Sequence, residues 1–164
     1  DNWRYVLDDL SKTPLKPTID GEPSYENLPE GIHNHSMPYW KASDVRRYAY
    51  WSVFAGACGH VYGENSVRQI YLEGVNEPES GAKLDFWEAI DAPGAFQMQY
   101  LKNLILSRPY FERVNDQSVV AGDEGEKYDR ILVTRGNDYL MAYTFTCREF
   151  TLQLGKISGE NIQV

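Results

Sequence analysis

Residues 17–62 constrain the fold of this chain most, because they alternate a short strand-like stretch, a loop, a helix and a second strand-like stretch. Residues 17–20 predict a strand that ends at a Gly-Glu-Pro turn, and residues 58–62 predict the second strand. A helix is predicted between them, from Val45 to about Ala57, with Ser43 and Asp44 as its cap. A strand–helix–strand unit of this kind brings parallel strands together through a right-handed crossover. The order of elements therefore predicts an α/β fold.

Helical spacing also appears on both sides of this unit. Apolar residues recur at positions 3, 6, 7 and 10, and again at 96, 98, 101, 104 and 105 before Pro109. The stretches 27–41 and 73–81 are rich in loop-forming and polar residues, and we predict two long loops there.

The pattern changes to period two beyond Pro109. Residues 130–145 predict an antiparallel hairpin that turns at Arg135–Asp138, and residues 149–154 alternate apolar and polar side chains. We therefore predict a boundary near residue 110, with residues 1–110 as one unit and residues 111–164 as another.

Charge and cysteine content exclude several classes of protein. The net charge is −8, with 24 acidic and 16 basic residues, and no cluster of Lys and Arg offers a nucleic-acid surface. No apolar run is long enough to span a membrane, and the first residues do not read as a signal peptide. Cys58 and Cys147 lie too far apart for a CxxC motif, so we expect two buried thiols and neither a metal site nor a disulfide framework.

Glu22 is the strongest candidate for a catalytic group. Its carboxylate lies between Gly21 and Pro23, at the exit of a predicted parallel strand, where barrel enzymes place their reactive residues. The alternative is a solvated acid in a turn. Asp20 lies on the same face of the strand, as a neighbour or a support.

A second polar cluster follows the next predicted strand. His60 and Tyr62 share one side of it, and Glu64 and Asn65 follow in its loop. Such groups suit a sugar site, although a histidine satisfied by backbone and a tyrosine packed in the core explain the same residues.

Other residues give weaker signals. His33 and His35 supply only two potential metal ligands, so no metal site is predicted. The 12 Tyr and 4 Trp residues are suited either to stacking on sugars or to an aromatic core. Trp40 is a candidate stacking platform, whereas Trp51 lies within the predicted helix and is expected in the core.

The strings KPTIDGEPSYE and DVRRYAYWSVFAGACGHVYGENSVRQIY resemble the apiosidase-like glycoside hydrolases of bacteria. This resemblance implies the C-terminal part of a (β/α)8 TIM barrel, with Glu22 as the nucleophile of a retaining enzyme. It also implies that His60, Tyr62 and Asn65 line the sugar pocket. The continuation GAFQMQYLKNLILSRPYFERVNDQSVV is similar to the link into that family's antiparallel β-sandwich, a collagen-binding type of domain.

The same resemblance implies that the acid/base carboxylate comes from an earlier barrel strand. Glu26 is a candidate contact for substrate, but the family gives no support for it as the missing acid. We therefore expect a part of a longer polypeptide that is inactive alone and needs no cofactor. The implied partners are a plant or host polysaccharide and the remainder of the polypeptide, with an exported, periplasmic or cell-surface location; a cytoplasmic one stays open.

Two alternative functions remain from the sequence. A non-catalytic module that binds carbohydrate or protein predicts exposed coplanar rings and a Glu22 side chain that points into bulk solvent. A structural interaction domain predicts no small-molecule site.

Overall fold

The structure is a computed structural model that describes residues 1–161 and 163. Its first part mixes helices with short strands: α1 (Trp3–Leu10), β1 (Ile19–Asp20), β2 (Pro29–Gly31), β3 (Asn34–Tyr39), α2 (Ala42–Phe54), β4 (Gly59–His60), α3 (Asn65–Gln69), α4 (Phe86–Ala89) and α5 (Pro93–Leu106). Its second part is mainly strands: β5 (Val114–Asn115), β6 (Val120–Ala121), β7 (Ile131–Arg135), β8 (Leu140–Thr144) and β9 (Thr151–Leu152).

Strands β1 and β4 pair in parallel, as the strand–helix–strand order predicts. Ile19 pairs with Gly59 and Asp20 with His60, and both strands are shorter than the sequence suggests. Helices α1 and α2 pack together on this pair, and α5 packs on α2. The apolar residues Trp3, Val6, Trp51, Phe54, Leu101 and Ile105 form the core between them. The helices predicted at residues 3–10 and before Pro109 are therefore confirmed, and Trp51 lies in the core as expected.

The predicted loop at residues 27–41 is wrong, because this stretch forms an antiparallel hairpin. Pro29 pairs with Tyr39 and Gly31 with Asn34 in strands β2 and β3. Most side chains of the hairpin are exposed, so its sequence lacks the alternation of apolar residues that reveals a half-buried strand. Backbone hydrogen bonds, which the side-chain pattern does not report, hold it together.

Helix boundaries also differ from the prediction. Helix α2 begins at Ala42 rather than Val45, because the Asp44 carboxylate accepts a hydrogen bond from the backbone N–H of Lys41, 3.0 Å away. The predicted loop that holds Glu64 and Asn65 runs into helix α3, which Glu64 caps by accepting from the N–H of Val67 at 2.8 Å. Helix α5 starts at Pro93, a favoured residue for a first helical position.

The second part contains the predicted hairpin, with β8 antiparallel to β7. Strand β5 pairs with the other edge of β7, and β6 pairs with β9. Of residues 149–154, Thr151 and Leu152 form strand β9, and the N–H of Gln153 donates to the oxygen of Val119 at 2.8 Å.

Strand β7 contributes to two apolar clusters at once. Leu132 points into the core formed by α1, α2 and α5, whereas Ile131 and Val133 pack with Val119 and Val120. All three β7 side chains are fully buried. Successive side chains of a strand point to opposite faces, so this alternation attaches the second part of the chain to the first.

Polar contacts reinforce that junction at the C-terminal end of α2. The Arg113 guanidinium donates to the backbone oxygens of Val53 at 2.6 Å and Ala57 at 2.7 Å. The Asn115 amide donates to the oxygen of Phe54 at 3.0 Å. The last carbonyls of a helix lack partners within the helix. Here, side chains of residues beyond 112 supply these hydrogen-bond partners.

Both cysteines are exposed, which corrects the expectation of buried thiols. Cys58 lies just beyond the end of α2, where the chain reaches the surface, and its thiol donates to the oxygen of Thr18 at 3.0 Å. Among the described residues, no helix has the length and apolar character needed to cross a membrane.

We expect Arg113→Ala to lower the free energy of unfolding by about 2–3 kcal/mol, because two carbonyls at the end of α2 lose a charged donor. Urea denaturation followed by circular dichroism measures the change. The matched control is Arg108→Ala, which removes an exposed guanidinium and is expected to stay within about 0.5 kcal/mol of the unsubstituted chain. Equal stability of the two variants would contradict a role for Arg113 in the junction.

Candidate functional site

Glu22 lies in the loop just after β1 and lines an open pocket of about 600 Å³. The β2–β3 hairpin and helix α3 form much of the surrounding wall. Among the lining side chains are Tyr25, Ile32, His33, Trp40 and Arg68. The carboxylate of Glu22 is thus exposed but faces a pocket with aromatic and charged walls.

Tyr25 makes a hydrogen bond to Glu22. Its hydroxyl donates to Glu22 Oε1 over 3.4 Å. Burial raises the pKa of the Tyr25 phenol, the negative charge of Glu22 raises it further, and the Arg68 guanidinium acts in the opposite direction. Glu22 and Arg68 therefore both lie close enough to Tyr25 for their charges to act on its phenol.

Glu26, a predicted substrate contact, is buried with 3% of its surface exposed. Its Oε2 accepts from the Tyr62 hydroxyl at 2.6 Å and from the backbone N–H of Gly94 at 2.9 Å. Gly94 is in the first turn of α5, where the positive end of the helix dipole favours a carboxylate. Its observed contacts are with protein, and its contact with substrate stays a prediction.

The phenol of Tyr62 is engaged by this same carboxylate. Burial raises the pKa of Tyr62 well above its usual range, and the hydrogen bond to Glu26 and the charge of that group add to the effect. Tyr62 therefore stays protonated and supports the loop that follows β4.

Glu64 and Asn65 connect three loops from a buried position. Glu64 accepts from Val67 N–H and from the Asn27 amide, the latter at 3.1 Å. The Asn65 amide donates to the backbone oxygens of Asn27 at 3.2 Å and Ser80 at 2.9 Å. Burial raises the pKa of the Glu64 carboxyl, and the charge of Glu26 contributes in the same direction. These contacts hold the segments around Asn27 and Ser80 against the start of α3.

His60 belongs to a different polar cluster, beneath α1 and α2. Its Nδ1 lies 3.6 Å from Asp20 Oδ2 and 3.3 Å from the Ser52 hydroxyl, and the Asn2 amide donates to Asp20 at 2.6 Å. Burial opposes ionisation of Asp20, but the hydrogen bonds from His60 and Asn2 hold its pKa below the usual value. His60 also lines an apolar groove of about 600 Å³ beside α5, which differs from the pocket of Glu22.

The structure thus brings Glu22 together with Tyr25, Trp40, His33 and Arg68. It engages the other predicted site residues in contacts within the protein, namely Glu26, His60, Tyr62 and Asn65. Sequence reasoning missed Tyr25 and Arg68. The spacing of Tyr25 from Glu22 was visible in the sequence, whereas the approach of Arg68 depends on helix α3.

No group of three or more His, Cys, Asp or Glu side chains suited to a metal ion occurs in the part of the chain that the structure describes. The ring of His35 lies beside Gly81, away from the position of His33 in the pocket wall.

Among the described residues, three neighbouring pairs of aromatic rings at or near the surface do not form a flat platform for sugar. The neighbouring ring pairs Phe86–Trp87, Phe96–Tyr100 and Tyr110–Phe111 meet edge-on, at 83°, 85° and 81°. A non-catalytic carbohydrate module of the predicted kind would present coplanar rings, so these pairs do not support it.

We expect Tyr62→Phe to lower the free energy of unfolding by about 1–3 kcal/mol, because the buried Glu26 carboxylate loses one of its two donors. Urea denaturation at pH 7 measures the loss. Tyr5→Phe is the matched control, since Tyr5 is 77% exposed on α1. A Tyr62 variant as stable as the control would show that this hydrogen bond contributes little.

The pH dependence of stability tests the burial of Glu64. Because its folded-state pKa is raised, the folded protein binds this proton more tightly than the unfolded chain does. The destabilising effect of the buried charge is therefore present above the folded pKa and is relieved as the pH falls towards the unfolded value of about 4.5. We expect the stability of the unsubstituted chain, relative to Glu64→Gln, to rise between pH 7 and pH ~4.5. Denaturation curves at each pH measure this difference, and a constant difference would contradict the assignment.

Comparison with known proteins identifies the two parts of the chain. Residues 1–112 match the family described as "Apiosidase-like, catalytic domain". Residues 114–164 match the family described as "Putative collagen-binding domain of a collagenase". No protein of the curated set matches the chain.

Two solved structures are similar over 97% of this chain. One, a glycoside hydrolase, is 55% identical with a TM-score of 0.93. The other, a glycoside hydrolase family 5 protein from Bacteroides vulgatus ATCC 8482, is 52% identical with a TM-score of 0.94. The chain spans 36% and 35% of their respective lengths. With most of its residues matched by the catalytic-domain family, the chain belongs to the apiosidase-like glycoside hydrolases.

Proposed function

We propose that the protein carrying this chain is a retaining glycoside hydrolase in which Glu22 is the nucleophile. The observation that carries the proposal is the position of Glu22 at the exit of a parallel strand, in a pocket of about 600 Å³. Barrel enzymes place catalytic side chains at the C-terminal ends of their strands. Trp40 and Tyr25 in the wall are suited to contact with sugar.

The proposed architecture is the C-terminal part of a (β/α)8 TIM barrel, over residues 1–110, followed by part of a β-sandwich, over residues 111–164. The parallel pair β1–β4 with its crossover helix α2 supports the barrel. The apolar groove beside β4 and α5 supports it too, because Met98, Leu101 and Ile105 line a surface suited to further barrel elements. The antiparallel ladders β5–β7–β8 and β6–β9 support the sandwich.

The proposed chemistry proceeds in two displacements. Glu22 attacks the anomeric carbon, the bond to the leaving oxygen breaks, and a protonated carboxylic acid from elsewhere in the longer protein gives its proton to that oxygen. The resulting glycosyl ester on Glu22 is then hydrolysed by water, whose proton returns to the same acid. Configuration at the anomeric carbon is retained overall.

The partner acid must lie close to Glu22 in space. Retaining enzymes hold their two carboxyl groups roughly 5–5.5 Å apart. Glu26 and Glu64 are buried and are committed to internal hydrogen bonds, so neither supplies a solvent-accessible acid. Glu30 and Glu79 also line the pocket, but the family resemblance assigns the acid to an earlier barrel strand. On that ground we propose that the acid comes from the remainder of the polypeptide and that the 164-residue chain alone is inactive.

The proposed substrate is a polysaccharide of plant or host origin, and the proposed location is outside the bacterial cytoplasm. A long polysaccharide meets its hydrolase outside the membrane, because it cannot cross it intact. The net charge of −8 favours neither nucleic acid nor another polyanion as a partner.

The test is turnover of plant and host polysaccharides by the full-length protein and by its Glu22→Gln variant. We expect the substitution to reduce the rate by at least about 1,000-fold, because the amide cannot form the glycosyl ester. Mass spectrometry of quenched reactions should show a sugar residue attached to the peptide that contains Glu22.

Glu73→Gln is the matched control, since Glu73 is an exposed acid of the loop before α4. Full activity of Glu22→Gln would reject the nucleophile. Sugar release by the isolated chain would reject the proposal that the partner acid lies outside it. Binding of polysaccharide without any turnover would favour the non-catalytic module instead.

A further inference from the structure

In the loop between β1 and β2, hydrogen bonds of the neighbouring residue fix the backbone position of Tyr25. The next residue, Glu26, has its backbone N–H bonded to the oxygen of Gly63 and its own oxygen bonded to the N–H of Asn65, both at 2.9 Å. Its carboxylate is fixed by Tyr62 and by the start of α5. The backbone position of Tyr25 is therefore determined by the most tightly bound residue of the loop.

The ring of Tyr25 rests directly on the backbone of Gly63. A Cβ atom added to Gly63 would lie 2.5 Å from Tyr25 Cδ1 and 2.6 Å from Cε1, closer than side chains approach each other. The backbone torsions of Gly63 are not in the left-handed region, so the lack of a side chain serves this contact rather than a turn. Glycine at this position lets the aromatic ring pack directly against the backbone, and we call this contact the seat of Tyr25.

Seated in this way, Tyr25 directs its hydroxyl to Glu22. The donor reaches Oε1 at 3.4 Å, which leaves Oε2 available to the pocket. Glu22 itself is exposed and belongs to a loop, so its side chain has few other constraints. A nucleophile that must reach an anomeric carbon gains from a donor that restricts its rotation, since misplacement by about 1 Å can cost about 100-fold in rate.

We propose that Tyr25, seated on Gly63, is a positioning residue that orients the Glu22 carboxylate for attack through Oε2. This inference rests on the proposed function and adds a role for a second residue, Tyr25, in the same reaction. Arg68 also lines the pocket, and its positive charge acts on the Tyr25 phenol.

The contact itself is tested in the 164-residue chain without any turnover. We expect Glu22→Gln to lower the pKa of Tyr25, because the negative charge that raises it is removed. Alkaline titration of the chain labelled with ¹³Cζ-tyrosine measures the value for the resonance that Tyr25→Phe removes. Glu30→Gln, which neutralises another carboxylate of the same pocket, is the control and should leave the Tyr25 value nearly unchanged.

The role is tested in the full-length protein with Tyr25→Phe, which keeps the ring on Gly63 and removes only the hydroxyl. We expect kcat to fall by about 10- to 100-fold with KM little changed, because an interaction that matters in the transition state is lost. Tyr5→Phe is the control for loss of a phenol on an exposed surface.

Gly63→Ala gives an independent variant, since it displaces the ring without touching its hydroxyl. Its loss of rate should resemble that of Tyr25→Phe, and the double variant should be no slower than Gly63→Ala alone. A double variant whose losses multiply would indicate a merely structural role and would overturn the proposal.

The two proposals fail separately. An inactive Glu22→Gln protein together with a fully active Tyr25→Phe protein would reject the positioning role and retain the nucleophile. A fully active Glu22→Gln protein would reject the proposed function itself. An unchanged Tyr25 pKa in Glu22→Gln would reject the contact on which the positioning role depends.

Discussion

The candidate site depends on one buried carboxylate, that of Glu26, at the start of helix α5. A carboxylate taken out of water destabilises a fold unless donors surround it. Here the donors come from Tyr62 after β4 and from Gly94 in the first turn of α5, while the backbone of Glu26 pairs with the residues around Glu64. Hydrogen bonds therefore join the loop after β1 to the loop after β4 and to the first turn of α5. Glu22 and Tyr25 belong to the loop after β1, which these bonds stabilise.

A second constraint joins the helical part of the chain to its strands. Leu132 belongs to the core of α1, α2 and α5, whereas its neighbours Ile131 and Val133 pack in the other cluster. Arg113 caps the end of α2 from the far side of the junction. The helix that spans the parallel strands is thus stabilised in part by residues from beyond it. The domain that follows therefore stabilises the C-terminal end of α2.

Much of the fold could be predicted from the sequence, because the relevant signals are local. Apolar spacing located the helices at residues 3–10 and before Pro109, and the order strand–helix–strand predicted the parallel pairing of β1 with β4. The hairpin at residues 29–39 was missed, because it buries almost no apolar face and its pairing comes from the backbone. The exposed thiols were misjudged for a related reason, since exposure of Cys58 depends on where the chain leaves α2.

The candidate site, too, could be predicted only in part from the sequence. The sequence by itself determined that a carboxylate follows the first parallel strand, that His60 lies in the second and that Tyr62 and Asn65 follow it, since these are properties of neighbouring residues. Only the tertiary structure decided which of these groups face the pocket: it placed Tyr25 beside Glu22 and directed Tyr62 to Glu26. The physical reason is that a buried polar group must find a partner, and partners distant along the chain are brought within hydrogen-bond distance only by packing.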